Sequence, residues 1–348
     1  MVWIKFIICL SIIIIAGTRL SKYGDIIAEK TGLGRIWIGV VLLATITSLP
    51  ELATGVSSVA LLGKPSLALG DVFGSNLFNL VIIALVDILY TKGPIFLFLN
   101  PAMILAAVGS ILMLAVIAVA IFMSQNICDL GIGNYIGIYS LILLSLYLFT
   151  QYGLFKYEKT NRPRGSTTNK IGKEIRNSSS NIVLKTAVIY FVIAGMATIG
   201  AGVWLSYIGA EIATVTGLGY GFIGVIFMAA CTSAPEMVVS IGCILRGTPD
   251  MAVGNLIGSN LFNMGIVLLI DDLAFTAGPI LSFATVDILF TLLIGILMSA
   301  IVISALLFRP RPLLKVWISI ETLLLIVIYL GAVFVIYTMN KGILPVTN

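Results

Sequence analysis

Two stretches of this chain, 39–79 and 224–263, carry the same pattern: an apolar run interrupted by Thr-Ser-x-Pro-Glu, then a second apolar run containing Gly-Ser-Asn-Leu-Phe-Asn. The first copy supplies Thr47, Ser48, Pro50, Glu51, Ser75, Asn76 and Asn79. The second supplies Thr232, Ser233, Pro235, Glu236, Ser259, Asn260 and Asn263. A carboxylate at hydrocarbon depth costs about 2.5–3.5 kcal/mol on insertion scales, so an acid kept there faces a protein interior and marks a functional position. Any fold available to this sequence must therefore shield two such acids from lipid.

The surroundings of the motifs are lipid-like. Of 348 residues, 59% are hydrophobic and 10% charged, against about 25% charged in soluble domains. A span takes about 20 mostly apolar residues. Ten stretches qualify: 2–18, 36–62, 67–90, 101–123, 134–152, 183–207, 220–245, 251–271, 284–307 and 314–338. The first lacks a small-residue cleavage pattern after its apolar run and is read as a span, not a signal peptide. With ten spans alternating, all of the 20 Lys and Arg except Lys5, Lys64 and Lys341 fall on one side. The positive-inside rule makes that side cytoplasmic and both termini external. The expected setting is a cell (plasma) membrane crossed many times.

Histidine is absent, which excludes a His-based triad, an H-E-x-x-H metal site and a His proton relay. No nucleophile–base pair or paired-aspartate protease signature is present, so a transporter is expected, not an enzyme. Cys9, Cys128, Cys231 and Cys243 lack metal-ligand spacing and do not suggest a disulfide framework.

The copies extend beyond the motifs. Ala16-Gly17, Leu20-Ser21 and Gly32-Leu33-Gly34 recur 185 residues later; Pro65, Gly70, Gly74 and Asn79 recur at 184; Gly93-Pro94 recurs at 185 again. Matching Gly, Pro, Ser and Glu in register is the signature of an internal duplication. The organisation read from this is a first five-helix repeat at 1–152, a polar linker at 153–182 on the cytoplasmic side, and a second repeat at 183–348. Five spans per copy force the second to enter the membrane inverted. The fold class expected is thus an all-α polytopic membrane protein of ten transmembrane helices in two inverted five-helix repeats, with a substrate site near the midplane. The fourth and fifth spans of each half, lacking acids in their cores, are expected to pack and shield.

On a helix of about 3.6 residues per turn, Ala44, Thr47, Ser48 and Glu51 share one face, as do Ala229, Thr232, Ser233 and Glu236. Pro50 and Pro235 have no N–H, so they free the carbonyls of Ile46 and Cys231 and kink their helices. Ser75 with Asn79, and Ser259 with Asn263, share a face one turn apart, while Gly70, Gly74, Gly254 and Gly258 permit close helix approach. Every candidate ligand is oxygen and the glutamates give the site two negative charges, which suits a hard cation. Calcium takes six to eight oxygens in a flexible cage, and sodium, similar in size, takes the same donors. Competition of the two for shared ligands is the simplest basis for antiport. Asp71, Asp87, Asp250, Asp271 and Asp272 fall near span ends and are expected to be solvated or to cap helices; Thr54, Ser57, Ser58 and Ser240 are candidates for lining a passage.

The paired motifs resemble those of the cation/calcium exchanger superfamily, whose two α-repeats carry a T-S-x-P-E helix followed by a G-S-N-x-x-[ND] helix, and the resemblance extends over essentially the whole chain. It implies a sodium/calcium exchanger fold in which the first and sixth helices slide past the rest. It also implies that Glu51 and Glu236 are shared Ca²⁺ and Na⁺ ligands, with the carbonyls of Thr47 and Thr232 completing the calcium site. Ser48, Ser75 and the Ala44 carbonyl would form one sodium site; Ser233, Ser259 and the Ala229 carbonyl, the other. Asn79 and Asn263 would line the middle. Many sodium/calcium exchangers have aspartate where this chain has Asn263, which leaves the counter-ion open; proton-using members tend to carry N-A-x-E in place of T-S-x-P-E. The expected function is Na⁺/Ca²⁺ antiport by alternating access, with H⁺/Ca²⁺ or other cation/Ca²⁺ antiport as the alternative and a cation channel behind both. No cofactor beyond the transported ions, no nucleic acid and no obligatory protein partner are expected.

Overall fold

The structure, a computed structural model, describes residues 1–31, 38–128, 130–132, 136–160, 183–308 and 318–341. Helix α1 spans Val2–Thr31. A π-helical segment, Ile38–Leu43, leads into α2 (Ala44–Thr47), and α3 (Leu49–Ala60) follows at an angle. Helices α4 (Pro65–Leu89), α5 (Ala102–Asn126) and α6 (Ile138–Thr160) complete the first half. The second half begins with α7 (Leu184–Thr216). Helix α8 (Tyr220–Ile223), a π segment Gly224–Met228, α9 (Ala229–Thr232) and α10 (Ala234–Leu245) then repeat the broken helix. After it come α11 (Pro249–Phe262), a π segment Asn263–Val267, α12 (Leu268–Ala274), α13 (Val286–Phe308) and α14 (Ile320–Asn340). The one sheet among the described residues is a two-residue pairing of β1 (Gly131–Ile132) with β2 (Ile136–Gly137).

Among the described residues, eight helices are long and apolar enough to cross a membrane, and ten segments qualify when each bent pair counts as one span. The bends fall at the motifs: 47° between Val40–Thr47 and Leu49–Ala60, and 41° between Tyr220–Thr232 and Ala234–Leu245. Proline explains both, since Pro50 and Pro235 occupy the first turn of the second piece, where a missing N–H costs nothing. Three helices outrun their expected spans by two turns or more. Helix α1 continues from 18 to Thr31 and α7 from 207 to Thr216. Helix α6 continues to Thr160, so the linker expected from 153 begins as helix, and 161–182 lie outside the described residues. The α1 extension carries Arg19, Lys22 and Lys30; polar helix of this kind needs no hydrocarbon around it, so helix length exceeds apolar length. The first four residues of the expected span 314–338 also lie outside the described residues.

Helices α4 and α11 are buried over most of their length and cross at the centre. The π segment of each half packs on the central helix of the other: Ile38–Leu43 on α11 and Gly224–Met228 on α4. This contact is backbone against backbone. A Cβ on Gly74 would lie 2.4 Å from the Val225 carbonyl oxygen, and one on Gly258 would lie 2.2 Å from that of Val40. Helices α1 and α7 pack along each other and lie across the broken helices of opposite halves, Gly17 against Pro235 and Gly202 against the Pro50 carbonyl. An ion pair, Lys5 Nζ to Glu211 Oε2 at 2.7 Å, and a Tyr23–Tyr190 ring stack with centroids 5.2 Å apart tie α1 to α7. Their outer faces expose Ile4, Ile7, Ile8 and Ile15, and Val188, Val192 and Met196, as lipid contact requires.

The return of the repeat spacing from 184 to 185 has a structural basis. Asn79 and Asn263 correspond at 184, whereas Gly93 and Gly278 correspond at 185, so the second half gains one residue in between. The π segment Asn263–Val267 lies there, while α4 stays α-helical to Leu89. A π turn accommodates one additional residue without breaking the helix.

Alanine at Gly74 or Gly258 places a methyl inside a backbone contact that no rotamer relieves. Each is expected to cost about 1–3 kcal/mol, read as a lower thermal transition of purified protein in detergent. Gly331→Ala, where a Cβ meets nothing within 4 Å, is the control and leaves the transition in place.

Candidate cation-binding site

The helix breaks bring both motifs to the crossing of α4 and α11. Thr47, Ser48, Glu51, Ser75 and Asn79 are fully buried, as are Thr232, Ser233, Glu236, Ser259 and Asn263, so the site is sealed on every side. Its hydrogen bonds run between halves. Ser48 Oγ donates to Glu236 Oε1 at 3.1 Å, and Ser233 Oγ donates to Glu51 Oε1 at 3.2 Å. Ser259 Oγ adds a second donor to Glu236 Oε1 at 3.3 Å. The other carboxylate oxygens, Oε2 of Glu51 and of Glu236, are buried with no hydrogen-bond partner. The carbonyls of Ala44 and Ala229 each accept the amide of the helix-break serine at 3.0 Å and, more loosely, the hydroxyls of Thr47 at 3.4 Å and Thr232 at 3.3 Å.

The structure groups the serines differently from the resemblance. Ser48 meets Ser259 through Glu236, and Ser75 Oγ lies 3.2 Å from Thr232 Oγ1, while Thr47 Oγ1 lies 3.5 Å from Ser259 Oγ. Each cluster thus draws on both halves. Asn79 Nδ2 donates to Asn260 Oδ1 at 2.9 Å, and Asn260 Nδ2 reaches the Asn76 carbonyl at 3.2 Å. The side chains of Asn76 and Asn263 have no partner.

The expectation that the aspartates are solvated is corrected here: Asp71, Asp87, Asp271 and Asp272 are all fully buried. Two of them do cap the chain. Asp87 accepts from the Ile95 amide at 2.5 Å and from Thr322. Asp272 accepts from the amides of Gly137 and Ile280, both at 2.8 Å, and from Tyr139 and Ser140. The loop folds back over the helix end, so its own N–H groups replace water. Asp250 takes the Asn100 amide at 2.7 Å. Asp271 is different, with both oxygens unpartnered and its carboxylate pressed where a side chain on Gly55 would be. Asp287, in the first turn of α13 and nearly buried, is an acid that the reading of the shielding spans passed over.

Asp71 belongs to the site itself. Thr232 Oγ1 donates to its Oδ1 at 3.0 Å, and Thr54 Oγ1 donates to its Oδ2. Asn255 holds the corresponding place in the other half, accepting from Thr47 Oγ1 at 3.3 Å and donating to Ser240 Oγ at 3.2 Å. Both residues were legible in principle, one helical turn before Ser75 and Ser259 and paired at the 184 spacing. Of the other candidates for lining a passage, Ser57 bonds Ser206 Oγ at 2.8 Å and Ser58 has no partner. Among the described residues no three acids, cysteines or histidines cluster closely enough to hold a metal by themselves. An ion here needs the hydroxyl, amide and carbonyl oxygens as well.

The model of the family described as sodium/calcium exchanger protein matches residues 1–153 and 186–338, one block per motif copy. The chain belongs to the sodium/calcium exchanger family. It is 26% identical over 272 residues to the inner membrane protein YrbG of Escherichia coli (strain K12), covering 75% of this chain and 76% of that protein. It is 40% identical over 79 residues to the putative antiporter CaxA of Alkalimonas amylolytica, covering 22% of this chain and 25% of that one. Among solved structures it is similar in fold to the sodium-calcium exchanger NCX_Mj soaked with 2.5 mM Na⁺ and 0.1 mM Ca²⁺, with a TM-score of 0.60 at 19% identity over 95% of this chain and 96% of that one. It is also similar to native YfkE, with a TM-score of 0.65 at 20% identity over 95% and 91%. This member of the family is therefore a multi-pass integral membrane protein.

Because each helix-break serine holds a glutamate of the opposite half, Ser48→Ala and Ser233→Ala each remove one tie between halves. A lost hydrogen bond to a buried acid costs about 1–3 kcal/mol. Each variant is expected to lower the unfolding transition in ion-free detergent. Ser48→Ala should do less harm, since Ser259 still donates to Glu236.

Proposed function

We propose that this sodium/calcium exchanger family member exchanges Na⁺ for Ca²⁺ across the membrane by alternating access at the site around Glu51 and Glu236. One observation carries the reading: two fully buried glutamates each accept on Oε1 from a serine of the opposite half and leave Oε2 unpartnered. Buried acids are retained when paired or when they coordinate ions, and the sole ion pair among the described residues is the distant Lys5–Glu211. Calcium would take the glutamates with the carbonyls of Thr47 and Thr232; sodium would take hydroxyls and the carbonyls of Ala44 and Ala229. Asn79 and Asn263 would add amide oxygens. Two charges on one Ca²⁺ match the two glutamates, and two or more Na⁺ replace it at the same oxygens.

Access has to alternate because the site is sealed. The α1–α7 pair, tied at both ends and lying across both helix breaks, is the element whose sliding would open one side and then the other. The charge distribution places both termini outside and 153–182 in the cytoplasm of a cell membrane. If more than two Na⁺ move per Ca²⁺, each net charge couples to about 2.3 kcal/mol per 100 mV.

The test is ⁴⁵Ca uptake into proteoliposomes under an imposed Na⁺ gradient. Wild-type protein takes up calcium, and Glu51→Gln or Glu236→Gln reduces uptake to background. Near-normal uptake by either variant overturns the site. Uptake driven by a pH gradient without sodium replaces the counter-ion by H⁺, and passive flux needing no counter-ion replaces exchange by a channel.

A further inference from the structure

Three contacts of the site recur in both halves. Ser233 to Glu51 mirrors Ser48 to Glu236; Ser75 with Thr232, 3.2 Å apart, mirrors Ser259 with Thr47, 3.5 Å apart. Thr232 to Oδ1 of residue 71, at 3.0 Å, mirrors Thr47 to Oδ1 of residue 255, at 3.3 Å. The geometry is repeated but the chemistry is not, because residue 71 is aspartate and residue 255 is asparagine.

We propose that Asp71 makes the two monovalent-cation subsites unequal: the Ser75–Thr232 subsite carries its own carboxylate and binds Na⁺ more tightly than the Ser259–Thr47 subsite. This rests on the sodium reading above. Asp71 acts through Thr232 as a positioning residue. As a carboxylate it only accepts, and it faces the hydroxyl of Thr232, which also reaches the Ala229 carbonyl at 3.3 Å, and that of Thr54, which also reaches the Pro50 and Glu51 carbonyls at 2.9 Å. The Thr232 oxygen is left with lone pairs for a cation, and a charge-assisted bond of this kind raises the electron density there. On the other side the Thr47 hydroxyl faces only neutral acceptors, the carbonyls of Leu43 at 3.0 Å and Ala44 at 3.4 Å and the Asn255 oxygen at 3.3 Å, while Asn255 spends its amide on Ser240. No fixed charge stands behind that subsite. The arrangement also places a third carboxylate in the site by a different route, since Asn263 is neutral and Asp71 lies on the opposite central helix.

The test uses the full chain in detergent, following stabilisation against heat by NaCl at constant ionic strength and, separately, by CaCl₂. The variants are Asp71→Asn, Asn255→Asp and the double exchange. Asp71→Asn keeps an acceptor for Thr232 and is expected to raise the half-saturating Na⁺ concentration about tenfold while moving that for Ca²⁺ less than threefold. Asn255→Asp alone tightens Na⁺, and the double exchange restores the wild-type Na⁺ response. An unchanged Na⁺ response in Asp71→Asn overturns the inference, as does an equal loss for Na⁺ and Ca²⁺, which marks a general charge effect. Should Asp71→Asn fail to fold, Asn255→Asp decides, and no tightening of Na⁺ overturns the inference. Wild-type protein stabilised by Ca²⁺ but not by Na⁺ is the separate result that sinks the sodium reading and this inference with it.

Discussion

Two carboxylates at the centre of an apolar bundle have to be held by something other than water, and here each is held by the opposite half of the molecule. Glu51 depends on Ser233 and Glu236 on Ser48, so neither half completes its own site. The reciprocity explains why the central helices must meet so closely. For a short serine to reach a glutamate across the pseudo-two-fold axis, the π segment of one half has to lie against the bare backbone of the other, which Gly74 and Gly258 allow. The serine is available because it occupies the bend, the residue at which proline ends one helical piece and starts the next. Chemistry, packing and helix breakage are thus three consequences of one requirement.

Much of this was legible in the sequence. The duplication, its odd span count and the paired Pro-Glu positions indicate ten spans, two bends and a central acidic site, because Gly, Pro and Glu in register have few physical uses inside an apolar helix. Partner choice was not legible. The resemblance groups Ser48 with Ser75, and no helical periodicity shows that, at a bend of 47°, the Ser48 hydroxyl meets Glu236 of the other half. Which atoms converge depends on crossing angles that no single-helix periodicity contains.

The aspartates show a second limit. Distance along a span suggests depth in the membrane, so acids near span ends are expected to be solvated or to cap helices. That holds when helices stand alone; in this bundle loops fold back over helix ends, and Asp87 and Asp272 become buried anchors for those loops. Asp71 lies only six residues beyond Pro65, yet it faces the break in the partner half's helix, where Thr232 sits. Burial follows what lies opposite a residue, not how far it stands from the end of its helix.

Near-symmetry also bears on how such a site works. A structure that repeats its contacts exchanges the roles of its halves at little cost, which suits a site that must open first to one side and then to the other. Perfect symmetry would leave the two openings without any chemical difference. Among the departures from it are the π turn that absorbs an additional residue after Asn263, the acid at 71 where the other half has an amide at 255, and the unpartnered Asp271 beside Gly55. All three involve the central helices or their direct continuations, while the serine–glutamate contacts that join the halves remain paired. The duplication therefore supplies the frame, and the departures give the two sides of the site different chemistry.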